Sequence, residues 1–260
     1  MKQEPDSDRR LPSRRIADDL RASIERGDLA SGAKLPSERD LAAQYGTARN
    51  TAREAISILQ GEGLVVAQHG RGVFVRPQQP LMRLGSNRYS LRLRGETGLS
   101  PFRIEVTKQG RTPKTECRSV TKEQAPDDVA DRLGLSSDNA TVVRRENWYF
   151  ADDEPVQVGI TYIPVAVAGD SPLASAKTLG KGSIYARFEE LGYPIARIRE
   201  EISARMPNPD ETIGLGMPPG VPVIQVLHTG FDEQRRPFEV TRFIMRGDLN
   251  GLDYDMPVED

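Results

Sequence analysis

The chain has 260 residues, a formal net charge of −2 and a hydrophobic fraction of 37%, a composition typical of a globular protein rather than a disordered one. No apolar run approaches the roughly 20 residues that span a bilayer, and no charged segment followed by an apolar core opens the chain, so we expect neither a membrane partner nor a signal peptide. One cysteine and two histidines exclude an internal disulfide and argue against a protein-only zinc site, so we expect no metal, no cofactor and a cytoplasmic location.

Charge is distributed almost evenly along the chain. Residues 1–77 hold 13 lysines and arginines against 11 acidic residues, and the remainder holds 23 against 27. Balances of +2 and −4 do not by themselves indicate a nucleic-acid binder. Any such interpretation depends on where the individual cations lie.

The N-terminal part of the chain has the apolar spacing of helices. Residues 1–12 are polar, and we expect them to form a flexible tail. Ile16, Leu20 and Ile24 then recur at intervals of four residues. This spacing predicts an amphipathic helix that ends near Gly27.

Two shorter helices are predicted next. Ser37 is a good N-cap for the first of them, and Asp40 is favourable near its positive end. Thr47 is predicted to cap the second, which ends at the glycines that follow residue 60. The apolar face of this helix has the spacing i, i+3, i+4, i+7 and consists of Ala52, Ala55, Ile56 and Leu59.

A β-hairpin is predicted after the third helix. The segment LVVAQHGRGVFV, residues 64–75, contains two β-rich runs around the glycine-rich sequence QHGRG. Three helices followed by a hairpin predict a winged helix-turn-helix domain over residues 13–76. A small helical subdomain with an incidental hairpin is the alternative.

The polar side of the third helix indicates a function. Arg49, Asn50, Thr51 and Arg53 lie at its start, where the helix dipole disfavours positive charge unless an anion is nearby. Arginine can hydrogen-bond to guanine, and asparagine to adenine, in the major groove, so these side chains predict DNA binding. Arg39 could reach a backbone phosphate, and the turn of the hairpin could enter the minor groove. That turn contributes His69, Gly70 and Arg71.

Each of these residues also has a structural alternative. Arg39 could pair with Glu38 or Asp40 on a solvated face, and Arg53 could pair with its neighbours Glu54 or Ser57. His69 by itself could be an ordinary turn residue. DNA binding is favoured because the polar set occupies the one face that the apolar stripe leaves free.

Residues 77–97 contain several prolines and glycines and are predicted to form an interdomain linker. Their arginines either contact DNA phosphates or are solvated linker charges. These arginines are Arg83, Arg88, Arg92 and Arg94.

After residue 100 the pattern changes to strands joined by short turns. ADDEP at 151–155 and DEQRRP at 232–237 have the composition of hairpin turns. Sequential strands with tight turns and a few helices predict an α+β domain built on an antiparallel sheet. Strands are predicted at 102–108, 114–121, 140–150, 155–163, 195–206, 221–231 and 237–246, and helices at 126–134, 183–192 and 208–215.

The segment LPSERDLAAQYGTARNTAREAISILQGEGLV, followed by QHGRGVFV, resembles the N-terminal domain of GntR-family bacterial transcription regulators. The resemblance covers residues 13–76, with Ala52 in place of a bulkier aliphatic residue. It implies a winged helix-turn-helix in which the matching positions touch DNA. These positions are Arg39, Arg49, Asn50, Thr51, Arg53, His69 and Gly70.

The C-terminal part, residues 98–250, resembles the UTRA domain of the HutC-type subfamily of these regulators, and residues 251–260 are expected to form a tail. The resemblance is carried by DDEPVQVGITYIP (152–164), GSIYARFEELGYPIARIREEISA (182–204) and GVPVIQVLHTGFDEQRRPFEVTRFIMRGD (220–248). Such domains are similar to chorismate lyase in fold, bind a small effector and commonly dimerise. The resemblance therefore implies an effector-binding homodimer.

Effector contacts are implied by position within this resemblance. In relatives that sense sugar phosphates, two arginines precede the turn, and their positions here hold Asn147 and Tyr149. Ser183 and Glu239 match the pattern, and Thr161 completes the expected set. With fewer cations at these positions, we expect a neutral or aromatic effector rather than a sugar phosphate, or a vestigial pocket in a domain that only dimerises.

An enzyme is the competing class, because chorismate lyase is one. Ser183 has no evident basic partner, and Cys117 and His228 are better explained as packing residues of strands. We therefore expect no catalytic residue. The sequence predicts a dimeric repressor that a small molecule releases from an inverted-repeat operator in double-stranded DNA, with an activator or an effector-independent repressor as alternatives.

Overall fold

The structure is a computed structural model that describes residues 11–68, 70–76, 80–84, 88–89, 91–136, 138, 140–181 and 183–255, except for the side chains of Leu84, Leu91, Leu93, Arg94 and Ser183. The chain divides into two compact units. The first is N-terminal and includes the short segment Met217–Val221, and the second begins at Pro80.

The first unit has the order of helices and strands that the sequence predicted for a winged helix-turn-helix. Its apolar helix faces meet in one core, which includes Ile16, Leu20, Leu41 and Leu59 and is closed by Val65 of the hairpin. The elements are α1 (Pro12–Glu25), α2 (Glu38–Gln44), α3 (Arg49–Gly61) and the antiparallel strands β1 (Val65–Gln68) and β2 (Gly72–Val75).

Of the two predicted helix N-caps, one is confirmed and the other is wrong. Ser37 is confirmed as the N-cap of α2, because its hydroxyl accepts the Asp40 amide at 3.2 Å and the Asp40 side chain accepts the Ser37 amide in return. Thr47 was wrong as the cap of α3. That helix begins one residue later with Ala48 at the N-cap position and no side-chain cap. The Thr47 amide instead donates to the Ala42 carbonyl, so Thr47 belongs to the turn that closes α2.

The second unit is built on an antiparallel sheet of six strands in the order β4-β5-β6-β9-β8-β7. Its predicted hairpins are confirmed between β5 and β6 and between β8 and β9. The tight turns place Asp152, Asp153 and Arg235 at positive φ, which short polar and turn residues tolerate. The strands are β4 (Pro113–Gln124), β5 (Thr141–Ala151), β6 (Glu154–Pro164), β7 (Arg197–Arg205), β8 (Val223–Phe231) and β9 (Pro237–Arg246).

Helices cover this sheet and connect its strands. The three predicted helices are confirmed as α6 (Asp127–Leu133), α9 (Ser183–Glu190) and α10 (Pro209–Gly214). The sequence missed the short helices α7 (Val165–Ala168) and α8 (Pro172–Ser175). They follow β6 one after the other, and each is only one turn long, too short to show a helical period.

The prediction of a strand at 102–108 was wrong, because Pro101–Lys108 form helix α5. The Ser100 hydroxyl accepts the Arg103 amide as an N-cap, and Pro101 occupies the first helical turn, where it is tolerated. Phe102, Glu105 and Val106 are buried at helical spacing. The β-branched and aromatic residues in this short run favoured a strand, and the Ser-Pro signal for a helix start was not recognised.

The predicted linker and C-terminal tail also contain regular structure. Within 77–97, strand β3 (Leu81–Leu84) pairs in parallel with β10 (Asn250–Asp253), and α4 spans Leu91–Thr97. β3 and β10 are far apart in sequence, so neither half of the pair is visible from local pattern. Both the linker and the tail therefore contribute to the second unit.

The arginines of the predicted linker also differ from expectation. Arg83 and Arg88 are buried and form ion pairs with Glu200 and Glu105, so they neither contact phosphates nor lie in solvent. Arg92 is exposed and pairs with a glutamate one turn later in its helix. The side chain of Arg94 lies outside the described residues. None of the described helices is both long and apolar enough to cross a membrane.

Candidate DNA interface and effector pocket

The start of α3 presents a polar surface because its opposite face is used for packing. Ala52 and Ala55 are fully buried, whereas Arg49, Asn50 and Arg53 are exposed. Thr51 is half-buried beside them. The structure thus brings Arg49, Asn50 and Arg53 to one accessible helix start, as the polar pattern indicated.

A carboxylate from the preceding helix lies between the two arginines. Arg49 donates through Nε to Glu38 at 2.8 Å, and Arg53 donates through Nε and Nη2 to Glu38 at 2.9 and 3.0 Å. The bond from Arg53, supported by the one from Arg49, lowers the pKa of Glu38 to about 2. Both arginines remain more than half exposed, at 68% and 58%, so the pairing positions their guanidinium groups without burying them.

These contacts replace the pairings considered from sequence. Asp40 is held by the Ser37 cap, and Glu38 is held by Arg49 and Arg53. Arg39 is exposed and forms no ion pair within the part of the chain that the structure describes. Arg39 is therefore available for a phosphate. The contribution of Glu38 was missed because it lies 11 and 15 residues from its partners.

The turn of the hairpin exposes a backbone and a cation. Gly70 adopts φ +71°, a left-handed conformation that favours glycine, and Arg71 is exposed with its guanidinium 5.6 Å from the Phe74 ring centroid. His69 lies outside the described residues. Lys34 was missed by the sequence analysis. Lys34 forms an isolated β-bridge with Phe74, and its side chain lies beside Gly72. A Cβ at position 72 would come within 2.7 Å of the Lys34 Cε.

The second unit contains a cavity of about 470 Å³, a volume typical of small-molecule sites. It lies between one end of α5, the face of strands β4–β6 and the loop before α9. Its lining comprises Gly98, Leu99, Ser100, Arg103, Thr115, Cys117, Arg145, Asn147, Tyr149, Thr161, Lys177, Thr178, Leu179, Gly180, Lys181 and Ile184.

The predicted effector residues divide into three groups. Asn147, Tyr149 and Thr161 line the cavity. Glu239 is not among the lining residues. It is buried in the sheet next to His228 and Thr241. The side chain of Ser183 lies outside the described residues. Burial raises the pKa of the Tyr149 phenol, so this side chain enters the cavity wall as a neutral group.

The basic residues of the cavity come from positions that the resemblance did not indicate. Arg103 belongs to α5, Arg145 to β5, and Lys177 and Lys181 to the loop before α9. None of the described lining residues is acidic. No local sequence signal joins these residues, because they lie on three separate segments.

A row of polar residues crosses the sheet from the cavity. The strand registers place Arg145 opposite Thr161, Thr161 opposite Thr241, Thr241 opposite His228, and His228 opposite Glu200. We call this set the polar row. Apolar residues usually occupy the buried face of a sheet, so five polar residues at adjacent positions across the strands are unusual.

Hydrogen bonds connect Thr161 with Thr241 and His228 with Glu200, and Glu239 lies between the two pairs. Thr241 donates to Glu239 at 2.7 Å, so its contact of 2.9 Å with Thr161 uses the Thr161 proton. His228 Nε2 lies 2.8 Å from Glu239, at ion-pair distance but without hydrogen-bond alignment. His228 Nδ1 lies 3.1 Å from the Tyr89 hydroxyl.

The far end of the polar row meets the segment that follows the first unit along the chain. Glu200 accepts bonds from Arg83, Tyr89 and Tyr254. Arg83 also stacks on Phe243, with its guanidinium carbon 4.5 Å from the ring centroid. A continuous set of contacts therefore links the cavity wall to β3.

The cysteine and several aromatic side chains of this unit have different environments. Cys117 lines the cavity, and burial raises the pKa of its thiol, which keeps it neutral. Trp148 and Tyr162 are buried and do not line the cavity. Trp148 donates to Glu146 at 2.8 Å and stacks with Arg118. Among the described residues, no group of three or more His, Cys, Asp or Glu could hold a metal ion.

A winged helix-turn-helix with cations on its third helix, joined to an α+β unit with a polar cavity, defines a DNA-binding regulator with a small-molecule site. Residues 12–75 match the model of bacterial regulatory proteins of the GntR family, and residues 108–249 match the UTRA domain. The chain belongs to the GntR family and carries a UTRA domain. It is a transcription regulator and not an enzyme.

Individual relatives are similar in sequence to this chain over nearly its whole length. The transcriptional repressor NagR of Bacillus subtilis is 28% identical over 90% of this chain and 89% of its own length. The transcriptional regulator Rv0792c of Mycobacterium tuberculosis is 31% identical over 94% of this chain and 86% of its own. A crystal structure of a GntR-family regulator aligns with a TM-score of 0.62 at 26% identity over 96% of this chain and 99% of that one.

Proposed function

We propose that this regulator is a homodimeric repressor that acts in the cytoplasm, binds an inverted-repeat operator and is released by a small-molecule effector. The observation that carries the proposal is the exposed start of α3, where Glu38 holds Arg49 and Arg53 side by side. The similarity to NagR, which is named a repressor, supports repression over activation.

The reading of DNA follows from the chemistry of this surface. Arg49 and Arg53 lie one turn apart and can each donate two hydrogen bonds to a guanine, while Asn50 can pair with adenine. Arg39 at the start of α2 and Lys34 beside the hairpin are proposed to bind phosphates, because both side chains are exposed. Gly70 and Arg71 at the turn are proposed to follow the adjacent minor groove.

The homodimer is proposed on the surface of the second unit as well as on operator symmetry. Strand β7 is at the edge of the sheet, with one row of backbone groups outside the ladder. Ile202 on this strand, Met206 just after it and Ile213 on α10 are exposed, Ile213 by 79%. Exposed apolar side chains beside a free strand edge are typical of a surface that pairs with another copy.

Release requires that the effector favours one state of the protein over another. The polar row supplies a physical route, because Arg145 and Thr161 line the cavity while Glu200, at the other end, contacts Arg83. A ligand that changes the hydrogen bonds of Thr161 would change the partners of β3. Coupling of about 1–3 kcal/mol, a usual size for such effects, would lower operator affinity by roughly 5- to 150-fold.

Selection of bound fragments from genomic DNA tests the DNA-binding part of the proposal. We expect enrichment of fragments that contain an inverted repeat with half-sites about one helical turn apart. A reporter fused to an enriched promoter should then rise when the regulator is deleted. A fall on deletion would support an activator instead, and no preference over scrambled competitor DNA would contradict operator binding altogether.

A further inference from the structure

The cavity of the second unit has an unbalanced charge. It is lined by Arg103, Arg145, Lys177 and Lys181, and none of its described lining residues carries a negative charge. Like charges brought together around one cavity repel one another unless an anion joins them. This arrangement indicates the chemistry of the ligand.

We infer that the effector is a small organic anion whose phosphoryl or carboxylate group binds among Arg103, Lys177 and Lys181 beside the buried Arg145. The inference rests on the proposed function of the cavity as the effector site. It adds the charge of the ligand and the residues that bind its charged group.

Arg145 is the strongest part of the argument, because it is a buried cation without a counter-charge. It is 1% exposed, and among the described residues no carboxylate pairs with it. Its Nη1 donates to the Leu173 carbonyl at 2.6 Å and its Nη2 to the Ala176 carbonyl at 2.8 Å, while its Nε is buried without a partner. Burial lowers the pKa of its guanidinium.

The contacts of Arg145 also position the loop that carries two of the other cations. Arg145 binds the carbonyls of Leu173 and Ala176, and Ala176 directly precedes Lys177 in the loop that also carries Lys181. The guanidinium therefore ties this loop to the sheet at the cavity wall. Arg145 acts as a positioning residue as well as a source of positive charge.

The exposed cations of the cavity differ from most arginines of the same unit. Arg132 pairs with Glu201, and Arg205 pairs with Glu211. Arg103, Lys177 and Lys181 form no ion pair within the described chain. Many further arginines of this unit have carboxylate partners, including Arg111, Arg144, Arg187, Arg236, Arg242 and Arg246.

The rest of the lining fits the organic part of such a ligand. The side-chain amide of Asn147 makes no hydrogen bond within the described chain, and the Thr161 hydroxyl, which donates to Thr241, can still accept one. Leu179 and Ile184 add apolar surface. A cavity of about 470 Å³ accommodates a compact ligand with both a charged group and hydroxyl groups.

This inference changes the expectation of a neutral or aromatic effector. That expectation counted cations only at the positions of Asn147 and Tyr149. The folded chain supplies positive charge to the same cavity from α5, β5 and the loop before α9. The substitution at two positions therefore does not remove the attraction for an anion.

Thermal denaturation of the full-length protein tests the inference. The probes are inorganic phosphate, glycerol 3-phosphate, succinate and, as the neutral probe, glycerol, each at 10 mM with ionic strength held constant by NaCl. We expect at least one anion to raise Tm by about 3–5 °C, the shift for a ligand at roughly ten times its Kd, and glycerol to have no effect. Comparing the Tm shifts of glycerol 3-phosphate and inorganic phosphate with the shift of succinate distinguishes recognition of a phosphoryl group from recognition of a carboxylate.

Two double variants locate the binding. Lys177→Gln with Lys181→Gln should reduce the Tm shift at least twofold, whereas Lys108→Gln with Lys122→Gln, which removes two cations outside the cavity lining, should preserve it. No shift with any of the three anions, or an equal loss in both double variants, would overturn the inference.

Operator binding by the same proteins is measured in parallel. Specific DNA binding without any anion response contradicts only the anionic effector. Loss of operator preference in the wild-type protein contradicts the proposed function itself. The two failures are therefore distinguishable.

Discussion

Glu38 sits where the two arginines at the start of α3 converge, and its charge affects how they meet DNA. The carboxylate offsets two cations at a helix end that disfavours them, and it limits the rotamers of both side chains. It also places a negative charge near the phosphates of a bound duplex. Glu38 therefore favours discrimination between sequences at a cost in overall affinity.

Replacing Glu38 by alanine tests this balance. We expect Glu38→Ala to strengthen binding to random DNA severalfold and to steepen the salt dependence by about one unit, because one repelling charge is lost. The preference for operator over random DNA should fall, since Arg49 and Arg53 are no longer held together. Fluorescence anisotropy at several salt concentrations measures both quantities. Glu54→Ala, an exposed glutamate on the same helix, is the control, and equal behaviour of the two variants would contradict the role of Glu38.

Arg49 and Arg39 should differ in what they contribute. Arg49→Ala is expected to cost about 1–3 kcal/mol on the operator and to relax base preference at one position. Arg39→Ala is expected to weaken operator and random DNA alike and to reduce the salt slope by about one unit. Competition shift assays with single-base operator variants separate the two effects. An equal loss on both kinds of DNA for Arg49→Ala would count against direct reading of a base.

At the scale of elements, the turn between α2 and α3 determines which hydroxyl stabilises a helix. Ser37 caps α2 with a reciprocal bond to Asp40, whereas Thr47 contributes no cap to α3. We expect Ser37→Ala to lower the free energy of unfolding of the first unit by about 1 kcal/mol and Thr47→Ala to lower it by less than half of that. Urea unfolding followed by circular dichroism measures the difference. A larger effect of Thr47→Ala would mean that α3 begins differently in solution.

The polar row gives the sheet a dependence on pH. Burial disfavours the charged form of His228, but the carboxylates of Glu239 and Glu200 outweigh this and raise the pKa of His228 above its ordinary value of about 6.5. The pKa of Glu200 is held well below its usual range: burial opposes this, but the hydrogen bond from His228 and the charge of Arg83 outweigh it. A raised histidine pKa stabilises the fold below about pH 6.5, and this stabilisation is lost as pH rises through the folded pKa.

Unfolding by urea between pH 6 and pH 9 tests this expectation. The urea midpoint should fall as pH rises, because the free energy of unfolding falls by at most about 1.4 kcal/mol per pH unit for this one proton. His228→Gln removes the titrating group and should flatten the dependence. Glu200 titrates only in acid, so it does not contribute to this window. A midpoint that rises with pH in the wild type would show that His228 is neutral in the folded state.

At the scale of the whole molecule, the proposed repressor depends on two copies binding one operator. Sedimentation equilibrium is expected to show a dimer, both free and on an inverted-repeat duplex. Ile213→Asp, which places a charge among the exposed apolar residues near the β7 edge, should weaken dimerisation at least tenfold, and Lys122→Asp on β4 is the control. A monomer under both conditions would exclude the dimeric mechanism. Dimerisation unaffected by Ile213→Asp would place the interface elsewhere.

The sequence by itself determined the elements with a clear period and the chemistry of one surface. The core of the first unit, the antiparallel strands after residue 113 and the polar start of α3 all follow from local spacing of apolar and polar residues. Such periodicity reports which face of an element is buried, and a resemblance to a known family adds the order of the elements. Neither depends on contacts between distant segments.

The tertiary structure alone decided which charges meet. It pairs Glu38 with Arg49 and Arg53, buries Arg83 against Glu200 and forms a helix from residues 101–108. The physical reason is that these contacts join residues far apart in the chain, and their energies depend on burial and distance rather than on local pattern. The same reason explains the cavity, whose positive charge comes from segments that share no sequence signal.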